Sequence, residues 1–214
     1  MQSNTKVFSC KGRLSGQDLS DAVRRFLNGE IGIVPTDTIY GLAGRINDER
    51  ALKRLYDIKK RPESKLFVLQ TADIESALGL ILNPDDKIKK LVSAFWPGAL
   101  TIIARPSAYL MKTFNWTSET IALRVPDHPI MRAILKKIKT PLLVTSANIS
   151  GKEVLTDIEK LKELFNGLVD FVIDDQKKYS SVPSTIVDAA GDGIKIIREG
   201  VISKEEINKC LTRV

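Results

Sequence analysis

Two apolar, strand-like runs lead into clusters of hydroxyl and amide side chains. The first reads Ile31-Gly32-Ile33-Val34-Pro35-Thr36-Asp37-Thr38-Ile39-Tyr40-Gly41-Leu42, the second Leu142-Leu143-Val144-Thr145-Ser146-Ala147-Asn148-Ile149-Ser150-Gly151. Runs rich in β-branched residues suit buried strands of an α/β sheet. Ligands of such sheets sit beyond the carboxyl ends of the strands. Four basic side chains from other segments, Lys59, Arg61, Arg124 and Arg198, can join the polar ends. Hydroxyl donors combined with fixed cations are what a nucleoside triphosphate needs.

Each motif also has a plain structural reading. In Lys59-Lys60-Arg61-Pro62 the basic residues suit the last turn of a helix, where they complement the dipole, and Pro62 stops it. The same residues can point at phosphates, with Arg61 forking across two oxygens. Arg124 lies in the apolar run Ile121-Ala122-Leu123-Arg124-Val125-Pro126. A charge there is costly unless paired, so it either meets an acidic residue or binds a carboxylate in a pocket. Ser146 and Asn148 can close a turn on their own backbone or donate to ribose and phosphate oxygens. Ser184-Thr185 is equally open, Trp96-Pro97-Gly98 reads as a helix stop, and His128 as a helix-entry residue. No G-x-x-x-x-G-K-[ST] or G-x-G-x-x-G motif is present.

The elements that must position these residues follow from periodicity. Helices are expected over 18–28, from a cap at Asn47 to before Pro62, from Pro84 to near Trp96, and over 129–138. Thr156 with Glu159, and Ser203 with Glu206, have capping-box spacing. Strands are expected over 31–35, 66–69, 100–104, 121–125, 142–144, 169–173, 185–187 and 194–197. They interleave with helices without strict alternation, which predicts a mixed sheet with flanking helices. The 214 residues, 43% hydrophobic, suit one α/β domain over 15–210 behind a short arm at 1–14. One histidine and two distant cysteines speak against a zinc site, a Ser-His-Asp triad or a Cys-His pair. A net charge of +7 fits a solvated surface, anionic ligands or nucleic acid. Neither a signal peptide nor a membrane-length apolar run appears, so a cytoplasmic protein is expected.

The order of the motifs is more specific than any one of them. Pro35 to Leu42, Lys59 to Pro62, Trp96-Pro97-Gly98-Ala99-Leu100-Thr101, Leu123 to Pro129, Thr145 to Asn148, Pro183-Ser184-Thr185-Ile186 and Ile197-Arg198-Glu199-Gly200 resemble the YrdC-like family in sequence order. The nearest likeness is to its threonylcarbamoyl-AMP synthase branch, in a short form without an additional C-terminal domain. The resemblance implies a single α/β domain around a basic cavity. It further implies that L-threonine, bicarbonate and ATP give threonylcarbamoyl-AMP and pyrophosphate. Partner proteins would carry the threonylcarbamoyl group to adenosine in tRNA, and Mg²⁺ would ride on the triphosphate. By the family pattern Lys59 and Arg61 would act on the ATP phosphates, with Thr101, Ser146, Asn148 and Arg198 also at the nucleotide. Thr36, Arg124, Thr145 and Ser184 would face threonine, Arg124 pairing with its carboxylate. A carbamate is already an anionic nucleophile, so no catalytic histidine is required. Lys65-Leu66-Phe67 and Gln70 depart from the family pattern. The alternative expectation is a non-catalytic RNA-binding protein with tight, salt-sensitive RNA binding; against it, only 6% of residues are aromatic, few for base stacking, and for a synthase only weak RNA binding is expected.

Overall fold

The computed structural model describes residues 5–62 and 67–212. Its elements run β1 (Lys6–Ser9), α1 (Gly16–Leu27), β2 (Gly32–Val34), β3 (Gly41–Arg45), α2 (Glu49–Lys59), β4 (Val68–Gln70), α3 (Ile74–Leu78), α4 (Asp86–Phe95), β5 (Leu100–Ala104) and α5 (Ala108–Phe114). They continue with β6 (Ile121–Arg124), α6 (Pro129–Ile138), β7 (Leu142–Ser146), α7 (Ile158–Phe165), β8 (Phe171–Asp174), β9 (Thr185–Asp188), β10 (Lys195–Arg198) and α8 (Lys204–Thr212). The strands form one sheet in the order β1-β8-β2-β3-β7-β4-β6-β5-β9-β10. Pairings are mixed: β8 is parallel to both β1 and β2, while β7 is antiparallel to both β3 and β4. This is the expected mixed sheet with helices packed on it.

Two apolar layers hold the helices to the sheet. On one face Phe26 of α1 and Met131, Ile134 and Leu135 of α6 meet Val34, Ala43, Leu142, Val144 and Phe171. Each such side chain contributes roughly 1.5–3 kcal/mol when fully buried. Gly32 is required here, because a Cβ would stand 2.4 Å from the Phe171 ring. On the other face Leu55 of α2, Leu91 of α4, Phe165 of α7 and Ile207 of α8 pack on Leu42, Leu69, Ile102, Leu123 and Leu143.

Alternation carries the first face along the sheet. Val68 and Gln70 of β4 lie level with Val144 and Leu142 of β7, and Ala122 and Arg124 of β6 lie level with Val68 and Gln70. A cavity opens on this part of the face, next to the part covered by α1 and α6.

Several boundaries differ from expectation for local reasons. Lys6–Ser9 is an edge strand paired with β8 and belongs to the sheet, whereas an arm was expected at 1–14. The α2 cap is Asp48, whose carboxylate accepts from the amides of Arg50 and Ala51, so Asn47 is not the cap. Asp85 caps α4, which leaves Pro84 just outside the helix. Asp157 rather than Thr156 caps α7. Ser203 and Glu206 do form the reciprocal pair before α8. The expected start of a strand at Leu66, and the Lys65-Leu66 departure, lie outside the described residues. Among the described residues no helix is long and apolar enough to cross a membrane.

Candidate active site

The cavity encloses about 430 Å³ and is walled by β3, β7, β4, β6, β5, β9 and β10. Of the ten residues singled out in the sequence, Thr36, Arg61, Thr101, Arg124, Thr145, Ser146, Ser184 and Arg198 line it. Lys59 and Asn148 do not; both are buried behind its wall.

The β2–β3 connection folds into a turn closed by Thr36. Its hydroxyl donates to the Ile39 carbonyl at 2.6 Å and accepts from the Thr38 and Ile39 amides at 3.2 and 3.3 Å. That turn presents Thr38 to Arg124, whose Nη1 donates to Thr38 Oγ1 at 3.0 Å while Nε donates to the Gly98 carbonyl at 2.9 Å. Nη2 stands 2.7 Å from Asp37 Oδ1, an ion contact at angles too poor for a hydrogen bond. The two readings of Arg124 are therefore compatible: it has an acidic partner and it also faces the cavity. Beside it, Gln70 is buried, and among the described residues its Oε1 has no hydrogen-bond partner.

Across the β5–β6 pairing, in register with Arg124, Thr101 on β5 shares a hydrogen bond of 2.9 Å with Ser184 before β9. Arg198 on β10 donates through Nε and Nη2 to the Ser184 carbonyl at 3.2 and 2.9 Å. Gly200 makes this fit possible, since a Cβ there would stand 2.2 Å from the Pro183 carbonyl oxygen. Burial, and then the charge of Arg124, lower the pKa of Arg198. Burial likewise lowers that of Arg61, which stands over the Phe67 ring at 5.5 Å. Arg124 and Arg198, partly desolvated cations that repel one another, favour an anion beside them.

Lys59 departs from the phosphate-facing role expected of it. Its Nζ sits among the Ser146 carbonyl (2.6 Å), Ser146 Oγ (3.1 Å), the Asn148 carbonyl (3.0 Å) and Asn148 Oδ1 (2.7 Å). An ammonium has three N–H donors, and four oxygens already compete for them. Burial, and then the Arg61 charge, push its pKa down to about 8. Lys59 thus braces the turn after β7, helped by Ser146 Oγ donating to Asn148 Oδ1 at 2.7 Å and Asn148 Nδ2 to the Lys152 carbonyl at 2.6 Å. Sequence alone does not single out Thr38, which orients Arg124, or place Tyr40 and Gln70 in the wall.

Comparison with known proteins adds to this geometry. The model of the Sua5/YciO/YrdC family, described as telomere recombination, matches residues 24–200. The chain belongs to this family. A threonylcarbamoyl-AMP synthase of Bacillus subtilis is 33% identical over 191 residues, which are 88% of this chain and 55% of that protein. A Methanocaldococcus jannaschii protein is 36% identical over 187 residues, 87% of each chain. The crystal structure of P. abyssi Sua5 complexed with L-threonine superposes with a TM-score of 0.89 at 28% identity, covering 97% of this chain and 61% of that one. The chain thus spans little more than half of the Bacillus relative and most of the Methanocaldococcus one. Among the described residues of this Sua5/YciO/YrdC protein, no three His, Cys, Asp or Glu side chains come together as a metal site.

Proposed function

We propose that this chain is a threonylcarbamoyl-AMP synthase, acting in the cytoplasm and supplying tRNA-modification partner proteins. The observation that supports it is one cavity that gathers the guanidiniums of Arg61, Arg124 and Arg198 with the hydroxyl side chains of Thr36, Thr38, Thr101, Thr145, Ser146 and Ser184. An amino-acid carboxylate and a triphosphate are the two anions of the reaction. The threonine amine first takes up bicarbonate and loses water to give a carbamate. A carbamate oxygen then attacks the α-phosphorus of ATP, and the bond from that phosphorus to the bridging oxygen breaks to release pyrophosphate. No proton has to be removed from the nucleophile, so the protein's work is positioning and charge neutralisation. Arg124 holds the threonine carboxylate in the pocket lined by Thr36 and Thr145, and Ser184 stands between the two substrates. Arg61 and Arg198 neutralise the phosphates of the Mg²⁺-bound ATP, with Thr101 and Ser146 as donors. Lys59 and Asn148 act through the turn that carries Ser146.

The test is a rapid mass-spectrometric product assay with a parallel pyrophosphate readout. The chain with ATP, Mg²⁺, bicarbonate and L-threonine is expected to give threonylcarbamoyl-AMP, and omitting bicarbonate or threonine to abolish it. A folded, ATP-binding chain that forms no such adduct overturns the reading.

A further inference from the structure

His128, the chain's single histidine, is the N-cap residue of α6 but makes no side-chain cap bond. Its ring turns inward instead. Nε2 lies 3.2 Å from Asp175 Oδ2 and 3.2 Å from the Tyr179 hydroxyl. Tyr179 donates to Asp175 Oδ2 at 2.7 Å, and Tyr40 donates to Asp175 Oδ1 at 2.8 Å. The Lys177 amide reaches Oδ1 at 3.3 Å. Because the Tyr179 proton is committed to Asp175, Nε2 carries the imidazole proton and shares it between the two oxygens. His128, Asp175 and Tyr40 are all buried, and the Tyr40 and Tyr179 rings meet edge to face at 4.7 Å.

One carboxylate therefore gathers three chain segments that are remote in sequence. Tyr40 ends the 36–41 turn and lines the cavity, His128 follows β6 and Arg124, and Tyr179 lies between β8 and Ser184. The turn held by Tyr40 carries Thr38 and Asp37, both partners of Arg124. A buried carboxylate whose hydrogen bonds are all satisfied fixes its neighbours in one arrangement, and losing a single donor leaves desolvated charge uncompensated.

We propose that Asp175, with Tyr40, His128 and Tyr179, is a positioning cluster that sets affinity for the anion held by Arg124 by fixing the 36–41 turn. The inference rests on the reading of Arg124 as the site of the amino-acid carboxylate. Burial alone would raise the Asp175 pKa, yet the bonds from His128, Tyr179 and Tyr40 hold it down at about 2, so the tie is ionised at neutral pH.

Steady-state kinetics and native hydrogen exchange on Tyr40→Phe, His128→Leu and His128→Gln test it. Tyr40→Phe and His128→Leu are expected to raise KM for L-threonine by about tenfold, with kcat and KM for ATP held within about twofold. His128→Gln, which restores an N–H donor, is expected to recover most of the loss. A role in stability alone would lower the melting temperature and the active fraction and leave both KM values unchanged, and that result overturns the proposal. The exchange measurement does not depend on activity. In Tyr40→Phe the amides of Thr38 and Ile39 are expected to exchange faster, and unchanged protection overturns the cluster's role. A wild-type chain that makes no adduct defeats the functional reading, while exchange still decides whether the cluster fixes the turn.

Discussion

At the scale of single residues, the site was most legible where chemistry and position coincide. Arg124 is conspicuous because a guanidinium inside an apolar strand demands a partner, and the structure supplies Asp37 along with an open face on the cavity. Lys59 was harder to read, because a lysine in the last turn of a helix ordinarily stays in water; nothing local announces the four oxygens that surround it. Asp175 carried no signal, since its partner Tyr40 is 135 positions away. Arg124→Ala is expected to cut kcat/KM for L-threonine by at least about a hundredfold, because a charged bidentate partner is lost and Asp37 is left unpaired; direct threonine binding measures it. Lys59 makes a pH prediction of two opposite signs. With a folded pKa near 8, it loses its proton between neutral and alkaline pH, and a neutral amine serves only two of the four oxygens. Activity is expected to decline with an apparent pKa near 8. Its folded pKa is below the unfolded value of 10.5, so the buried charge costs stability below pH 8 and the cost fades between about pH 8 and 10.5. Across that window the wild type should gain stability relative to Lys59→Met while it loses activity. A flat stability difference would show that Lys59 keeps its proton.

At the scale of elements, strong periodicity was enough and weak periodicity was not. Helix α6 occupies the expected 129–138, because Pro129 starts it and Ile130, Met131, Ile134, Leu135 and Ile138 all face the core. Strand β3, Gly-Leu-Ala-Gly-Arg, reads as loop by composition; it is a strand because its glycines admit Val144 and Leu55 close against it. Helices α3 and α5, of 5 and 7 residues, are too short to show a period. Two substitutions test how elements serve the site. Asp48→Ala removes the acceptor for two orphan amides of α2 and is expected to cost about 1 kcal/mol in urea unfolding. Gly200→Ala drives a methyl into the Pro183 and Ser184 backbone, which a flexible side chain cannot relieve. It is expected to destabilise by about 1–3 kcal/mol and to weaken ATP binding measured by calorimetry, because Ser184 and Arg198 move together.

At the scale of the whole molecule, the buried Asp175 tie makes acid stability predictable. A carboxylate whose folded pKa is lowered to about 2 from 3.8 contributes stability that is complete above the unfolded value and lost as pH falls through the folded one. The unfolding free energy should drop between about pH 4 and 2, and Tyr179→Phe should flatten that drop. A mixed sheet could be expected from the sequence, but its strand order could not, because pairing depends on contacts between distant segments. That order also governs how the chain comes off the ribosome. Strands β1 and β2 share β8 as their neighbour, so both wait for residues 171–174 before either has its parallel partner. The cavity waits longer still, since one of its cations, Arg198, comes only with β10, after β8. A nascent chain halted near residue 165 should expose its α1 face to chaperones and retain no affinity for ATP, so the cavity forms only after β8, β9 and β10 have been made.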